Sequence, residues 1–240
     1  MPSRRPGFWL RRASGTADFG KPACTSRGSA MNGFFELLRV QRWDDHRYYH
    51  HSRINQSLHL LSAVTFVCTY ALTFNDPALA ALIGWLVAMT SRQIGHFFFE
   101  PKDYDVINQA THQYKEQVKV GYNLRRKTVL MTIWALSPLA FVLDPTMLGL
   151  CRAPTNWIGF ARHVGYLWLV VGLGGLLFRT IHLFLIEDLR TGLVWATKII
   201  TDPFHDIKLY YRAPAHLLKG HILEPALGDD LSEEAAEFNH

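Results

Sequence analysis

Apolar residues along the chain are pooled into four blocks instead of being spread at an even period: Ser57 to Phe74, Ala78 to Phe99, Thr128 to Leu150 and Val164 to Ile186. Each approximates the roughly 17–25 residues with which an α-helix crosses about 30 Å of hydrocarbon, the second needing Gly95 and His96 to complete its length. The pattern predicts an all-α, integral membrane bundle of about four transmembrane helices, at residues 57–74, 78–99, 128–150 and 164–186. Between the blocks the pattern is amphipathic. Gly33 to Arg53 mixes apolar and charged residues in helical fashion, with Phe34, Phe35, Leu37, Leu38 and Val40 able to lie on a membrane surface. Helix formers from Val106 onward predict a cytoplasmic helix with His112 and Glu116 at i, i+4. Beyond Ile186 a further amphipathic helix runs through Ile200, and Asp202-Pro203 predicts a stop and a turn before His205 and Asp206. No internal repeat marks two matched transporter halves.

The domain organisation expected is a disordered basic extension over residues 1–30, a membrane helical domain over 31–220 and an acidic disordered tail over 221–240. The extension carries Arg4, Arg5, Arg11 and Arg12 but no apolar core long enough for a signal peptide. Met31, at the head of the first amphipathic stretch, is a candidate start.

Composition sharpens this picture in one respect. Of 240 residues, 49% are hydrophobic, yet the formal net charge is +5. The cations cluster before the first block (Arg39, Arg42, Arg47, Arg53), between the second and third (Lys102, Lys115, Lys119, Arg125, Arg126, Lys127) and after the fourth (Arg190, Lys198, Lys208, Arg212, Lys219). The alternate connections are poor in them. By the positive-inside rule both termini and the long middle loop are cytoplasmic, in a bacterial inner membrane or an ER-type membrane. Adhesion to anionic headgroups then accounts for the basic balance, and no nucleic-acid partner is called for. Cys24, Cys68 and Cys151 are scattered without CxxC spacing, which excludes a disulfide framework or a cysteine zinc site.

The candidate chemistry lies in the 12 histidines. On a continuous helix His51, Asn55 and His59 fall at i, i+4, i+8 and form one polar stripe at the head of the first apolar block. With the orientation above, His59, His96 and His182 all sit at cytoplasmic helix ends, and His50, His51 and His112 lie in adjoining segments. Glu100 follows His96 at i+4. Imidazoles with a few carboxylates suit iron, zinc or copper, and carboxylates orient metal-bound imidazoles. His51, His59 and His96 form the main candidate metal set, with His112 and His182 as further candidates; His50 is set aside because its neighbour His51 points elsewhere on a helix. His163, His216, His221 and His240 read as ordinary interfacial residues, and Trp43, Tyr48, Tyr49 and Phe97 to Phe99 as an aromatic belt. No HExxH helix is present for metal-assisted hydrolysis.

Tyr49-His50-His51 through Asn55 to His59, together with Gly95-His96-Phe97-Phe98-Phe99-Glu100, resembles the Mpo1-like family, formerly a domain-of-unknown-function family, over about Gly33 to Glu100. The resemblance implies a membrane Fe(II)-dependent dioxygenase that shortens 2-hydroxy fatty acids by one carbon with O₂, the α-oxidation of fatty acids. It implies His51, His59 and His96 as ligands of Fe(2+), with Asn55 and Glu100 as supporting catalytic polar groups. Arg53 and Arg92 are the nearby cations able to attract the substrate carboxylate. Two other readings compete: a di-iron lipid hydroxylase or desaturase, which would carry HxxHH boxes that this chain lacks, and a non-enzymatic scaffold or transporter with structural metal or pH-sensing histidines. Haem held between His59 and His182 is a further alternative.

Overall fold

In the computed structural model, residues 27–100, 102–105, 108, 110–121 and 124–224 are described. They form an all-helical bundle, and no named strand occurs among them. Helix α1 (Arg27–Tyr49) ends where His50, His51 and Ser52 leave the helical path, and α2 (Arg53–Thr73) starts after an extended Ser52. Phe74 to Asp76 then turn the chain. Asp76 caps α3 (Pro77–Phe99) by accepting the Leu79 N–H at 3.1 Å, and Pro77 supplies a first-turn residue that needs no amide partner. Two stretches of α3, Gly84–Met89 and Gly95–Phe99, widen into π-turns. The helix stops at Glu100, which is extended, as a residue before proline prefers.

The short α4 (His112–Val118) is capped by Thr111, whose Oγ1 accepts from the Tyr114 N–H at 3.2 Å. It carries His112 and Glu116 as expected; Glu116 accepts the first amide of α5 (Leu124–Leu143), a helix interrupted at Ser137-Pro138. Asn156 caps α6 (Trp157–Ile186), Asp188 caps α7 (Leu189–Tyr210), and α8 (Ala213–Leu218) follows.

Three of these helices are long and apolar enough to cross a membrane: α3, α5 and α6. Only 6% of the apolar window of α5 and 11% of that of α6 is buried, so their outer faces are free to meet lipid. The third block therefore ends near Leu143 and not at Leu150, because Asp144 turns back to accept from Thr146 and Leu148 and breaks the helix. α2 does not belong to this set. Asn55, Gln56, His59, Ser62 and Thr69 are buried in it, and these polar positions face protein.

Helix α3 packs on α6, and α2 packs on α3 and on α7. The α3–α6 contact is close because Gly165 presents no side chain; a Cβ there would lie 2.3 Å from the Ala78 carbonyl oxygen. Trp85, Trp134 and Trp168 pack in sequence with ring centroids 5.1 and 5.0 Å apart, and the Trp85 and Trp168 indoles donate to Trp168 O and Ser137 Oγ, each at 3.0 Å. Aromatic pairs of this kind add about 0.5–1.5 kcal/mol each beyond area burial.

Helix α7 differs from expectation. It runs through Pro203 without stopping. Lys198 sits one turn before Asp202 and donates to it at 2.8 Å, while Arg42 of α1 holds the other Asp202 oxygen at 3.1 Å, so the turn around the proline is tied down by side chains. In consequence Lys198, Asp202, Asp206 and Tyr210 share one buried face at i, i+4, i+8, i+12. The acidic tail also departs from expectation where it is described. Ser52 bridges Leu223, the Arg53 N–H donates to Ile222 O at 2.8 Å, and the Glu224 N–H donates to His51 O at 2.9 Å, which straps residues 221–224 across the start of α2. The expected extension over 1–30 lies outside the described residues apart from the start of α1, which begins before Met31; residues 225–240 of the tail also lie outside them.

Candidate metal centre

The break between α1 and α2 decides which histidines meet. Because the chain is not helical at His50 to Ser52, His51 is not on the stripe with Asn55 and His59, and His50 turns inward instead. His50, His59 of α2 and His96 of α3 come together, one nitrogen from each lying within 4.8 Å of the others. Ring centroids are 4.1 Å apart for His50 and His59, 4.9 Å for His59 and His96, and 5.8 Å for His50 and His96. All three are buried, His59 completely.

The outward nitrogens are fixed by partners. His50 Nδ1 lies 2.7 Å from the Tyr210 hydroxyl, which also lies 3.2 Å from His46 Nδ1. His46 Nε2 faces the Glu224 carboxylate at 3.3 Å and carries its proton there, so His46 Nδ1 accepts from the Tyr210 hydroxyl, and Tyr210, its one proton used, accepts from His50 Nδ1–H. That tautomer leaves the His50 Nε2 lone pair free, and this atom has no hydrogen-bond partner. His96 Nδ1 pairs with Glu100 Oε1, which leaves Nε2 as its ligand atom. Neither nitrogen of His59 has a hydrogen-bond partner among the described residues; Asp206 stands 3.8 Å from its Nδ1. Buried imidazole nitrogens are normally satisfied, so unpartnered ones within a converging group suit a bound cation. Burial pushes the His50 imidazole well below its ordinary pKa, with the charge of a protonated His59 adding to the effect, which keeps it in the neutral, ligating form.

Gly95 makes the convergence geometrically feasible. A Cβ at this position would lie 2.1 Å from Asn55 Oδ1 and 3.4 Å from His59 Cδ2. Only a glycine lets α3 approach α2 closely enough to bring His96 beside His59. Asn55 is fully buried and donates from Nδ2 to Tyr49 O at 3.0 Å, so it ties the end of α1 to the start of α2. The π-turn Gly95–Phe99 lies at the same level, a feature often seen where a helix must aim a functional side chain.

The remaining predicted residues are placed elsewhere. His51 faces Asp105, with Nε2 3.7 Å from Oδ2. His112 heads α4, and His182 pairs with Arg179 at 2.8 Å; neither belongs to the group. Arg53 is occupied by Gln56 at 2.8 Å and Glu224 at 3.4 Å. Arg92 donates to Asp206 at 3.1 Å and lines a cavity of about 630 Å³ together with His50 and His96. The rest of that wall is largely apolar, with Phe66, Trp85, Met131, Leu173 and Leu176 among its residues. Tyr210 and Asp206 were not among the expected site residues. Their signal was the i+4 series from Lys198, hidden by reading Pro203 as a helix stop.

Beside the group lies a charge network. Lys198 donates to Asp45 and Asp202. Burial opposes ionisation of Asp45, yet the Lys198 ammonium prevails and holds the carboxyl below the usual range; burial likewise works against Lys198, and the two carboxylates hold its ammonium above the ordinary lysine range.

Comparison with protein-family models, with curated proteins and with solved structures finds no match to this chain.

Proposed function

We propose that the chain is a membrane Fe(II)-dependent dioxygenase acting on 2-hydroxy fatty acids, with His50, His59 and His96 holding the iron. The observation that carries this reading is the buried trio of imidazoles, with His50 Nε2 and both nitrogens of His59 unpartnered and with His50 and His96 opening onto a mainly apolar cavity. The fit is chemical: three neutral imidazoles suit Fe(II) and leave room for further ligands. Fe(II), when bound, supplies the one-electron chemistry toward O₂ that no side chain offers.

The chain's own residues prepare the site. Glu100 accepts from His96, and Tyr210 accepts from His50; both fix ring orientation and raise ligand basicity. The apolar wall takes up an acyl chain and keeps water from the head end. Arg92, held by Asp206, contributes positive charge on the side of the cavity where His50 and His96 stand. The cations between α3 and α5 and after α6, two segments that three crossings leave on the same side, favour the cytoplasm for that end of the cavity, so the substrate enters from the inner leaflet. Among the described residues one group of this kind is found, which favours a mononuclear centre over the di-iron alternative.

The test is oxygen uptake by the purified, iron-loaded chain given 2-hydroxypalmitate. The proposal expects uptake coupled to a fatty acid one carbon shorter, absent with zinc in place of iron. Iron-loaded protein that consumes no O₂ and releases no shortened acid would refute it, and firmly bound zinc in the protein as isolated would favour the structural-metal reading.

A further inference from the structure

Five cations line the cavity: Arg92, Lys115, Lys119, Lys127 and Lys198. Four have anionic neighbours. Arg92 is taken by Asp206 and Lys198 by Asp45 and Asp202. Lys115 stands 3.8 Å from Asp105, and Lys119 stands 3.9 Å from Glu100 with its ammonium 3.6 Å from the Tyr49 ring centroid. The acidic groups of the wall are also accounted for, Asp44 by Arg47 and both Asp45 and Asp202 by the cations just named. Lys127 has no hydrogen bond or ion pair among the described residues. It projects from the first turn of α5 and lines the cavity together with His96.

We infer that the cavity is a binding site for a single-chain amphiphile with an anionic headgroup, and that Lys127 is the residue that recognises the anion. A half-buried lysine with no carboxylate in ion-pair contact among the described residues, at the charged end of an otherwise apolar cavity, gains its partner from a carboxylate joined to an acyl chain. Arg92 and Lys119 set the local positive potential but are already engaged, so they do not discriminate an acid from an alcohol. Lys127 does. The cavity volume of about 630 Å³ lies within the roughly 300–1,000 Å³ of small-molecule sites, which favours one chain over the two of a phospholipid. This inference deepens the proposed function by naming the headgroup contact, but it concerns binding and does not require turnover.

The experiment is displacement of a fluorescent fatty acid from the full-length chain in zwitterionic nanodiscs, by palmitate, by hexadecan-1-ol and by the two-chain anion phosphatidic acid. Palmitate is expected to displace the probe at a concentration on the order of tenfold below that of the alcohol, since a charged hydrogen bond separates them. Lys127→Gln should abolish that preference while retaining bound metal and the wild-type melting curve. Lys127→Arg should restore it, and Lys208→Gln on the exposed face of α7 should leave it unchanged. Equal displacement by acid and alcohol, no displacement by either, or a preference that survives Lys127→Gln would overturn the assignment. Stronger displacement by phosphatidic acid than by palmitate would overturn the single-chain class. An acid preference that depends on Lys127 in a protein that consumes no O₂ would leave this inference standing and remove only the dioxygenase reading.

Discussion

Replacing Gly95 with alanine tests whether helix approach builds the metal group. The added Cβ would lie 2.1 Å from Asn55 Oδ1 and 3.3 Å from its Cγ, where contacts under 3.0 Å are essentially never seen. Asn55 cannot simply swing aside, since it is fully buried and its Nδ2 donates to Tyr49 O at 3.0 Å. Either the asparagine gives up that bond or α3 moves away from α2. Overpacking of this kind costs about 1–3 kcal/mol, and loss of a buried hydrogen bond costs about 1–3 kcal/mol, so destabilisation of roughly 2–4 kcal/mol is expected, the two being alternatives in part. His59 and His96 sit on the two helices being separated, so metal affinity falls along with stability. Gly174→Ala in α6 is the control, because a Cβ there meets nothing within 4 Å. The assay is a thermal melt in detergent with metal content measured on the same sample. A Gly95→Ala protein that melts and binds metal as the wild type does would refute the reasoning.

Tyr210→Phe removes the hydroxyl that accepts from His50 Nδ1, and should weaken metal binding roughly 10–100-fold in a chelator competition, with helicity unchanged in circular dichroism. Glu100→Gln should weaken it over a similar range by removing the carboxylate partner of His96, and an affinity equal to wild type would exclude that role. Asp45→Asn tests the charge network. Asp45 is held below its ordinary 3.8, so its contribution is present above that pH and lost as pH falls through the lower folded value; Lys198 is held above its ordinary 10.5, so its contribution is present below that pH and lost as pH rises through the higher folded value. Both are in full effect near neutrality. The melting temperature of Asp45→Asn should therefore lie below wild type at neutral pH, with the gap narrowing in acid; a gap that widens in acid would contradict the assignment. Removing the strap by truncation before His221 exposes Arg53 and His46 and should lower the melting temperature, as read by differential scanning fluorimetry.

The apolar blocks made the helical class and the lipid-facing helices legible from sequence, because a bilayer-length run of apolar residues has few other uses. His59, His96, Asn55, Gly95 and Glu100 were legible for a related reason: polar residues in or beside such a run are expensive and stand out. What remained hidden depends on backbone path. His51 and His50 are adjacent, and only the break between α1 and α2 selects His50; a continuous helix through this point would have selected His51. The α7 face was concealed by Pro203, whose disruption of the helix is offset by the side-chain ties of Asp202. Lys127 looked like one of a run of loop cations, and its distinction from Lys119 lies in partners that only tertiary structure assigns.

The central claim is that His50, and not its neighbour His51, completes the metal group with His59 and His96. Metal content by mass spectrometry of the wild type, His50→Ala and His51→Ala, purified in parallel, tests it most directly. The account predicts one metal ion per chain in the wild type and in His51→Ala, and loss of that ion in His50→Ala; metal retained by His50→Ala and lost by His51→Ala would contradict it.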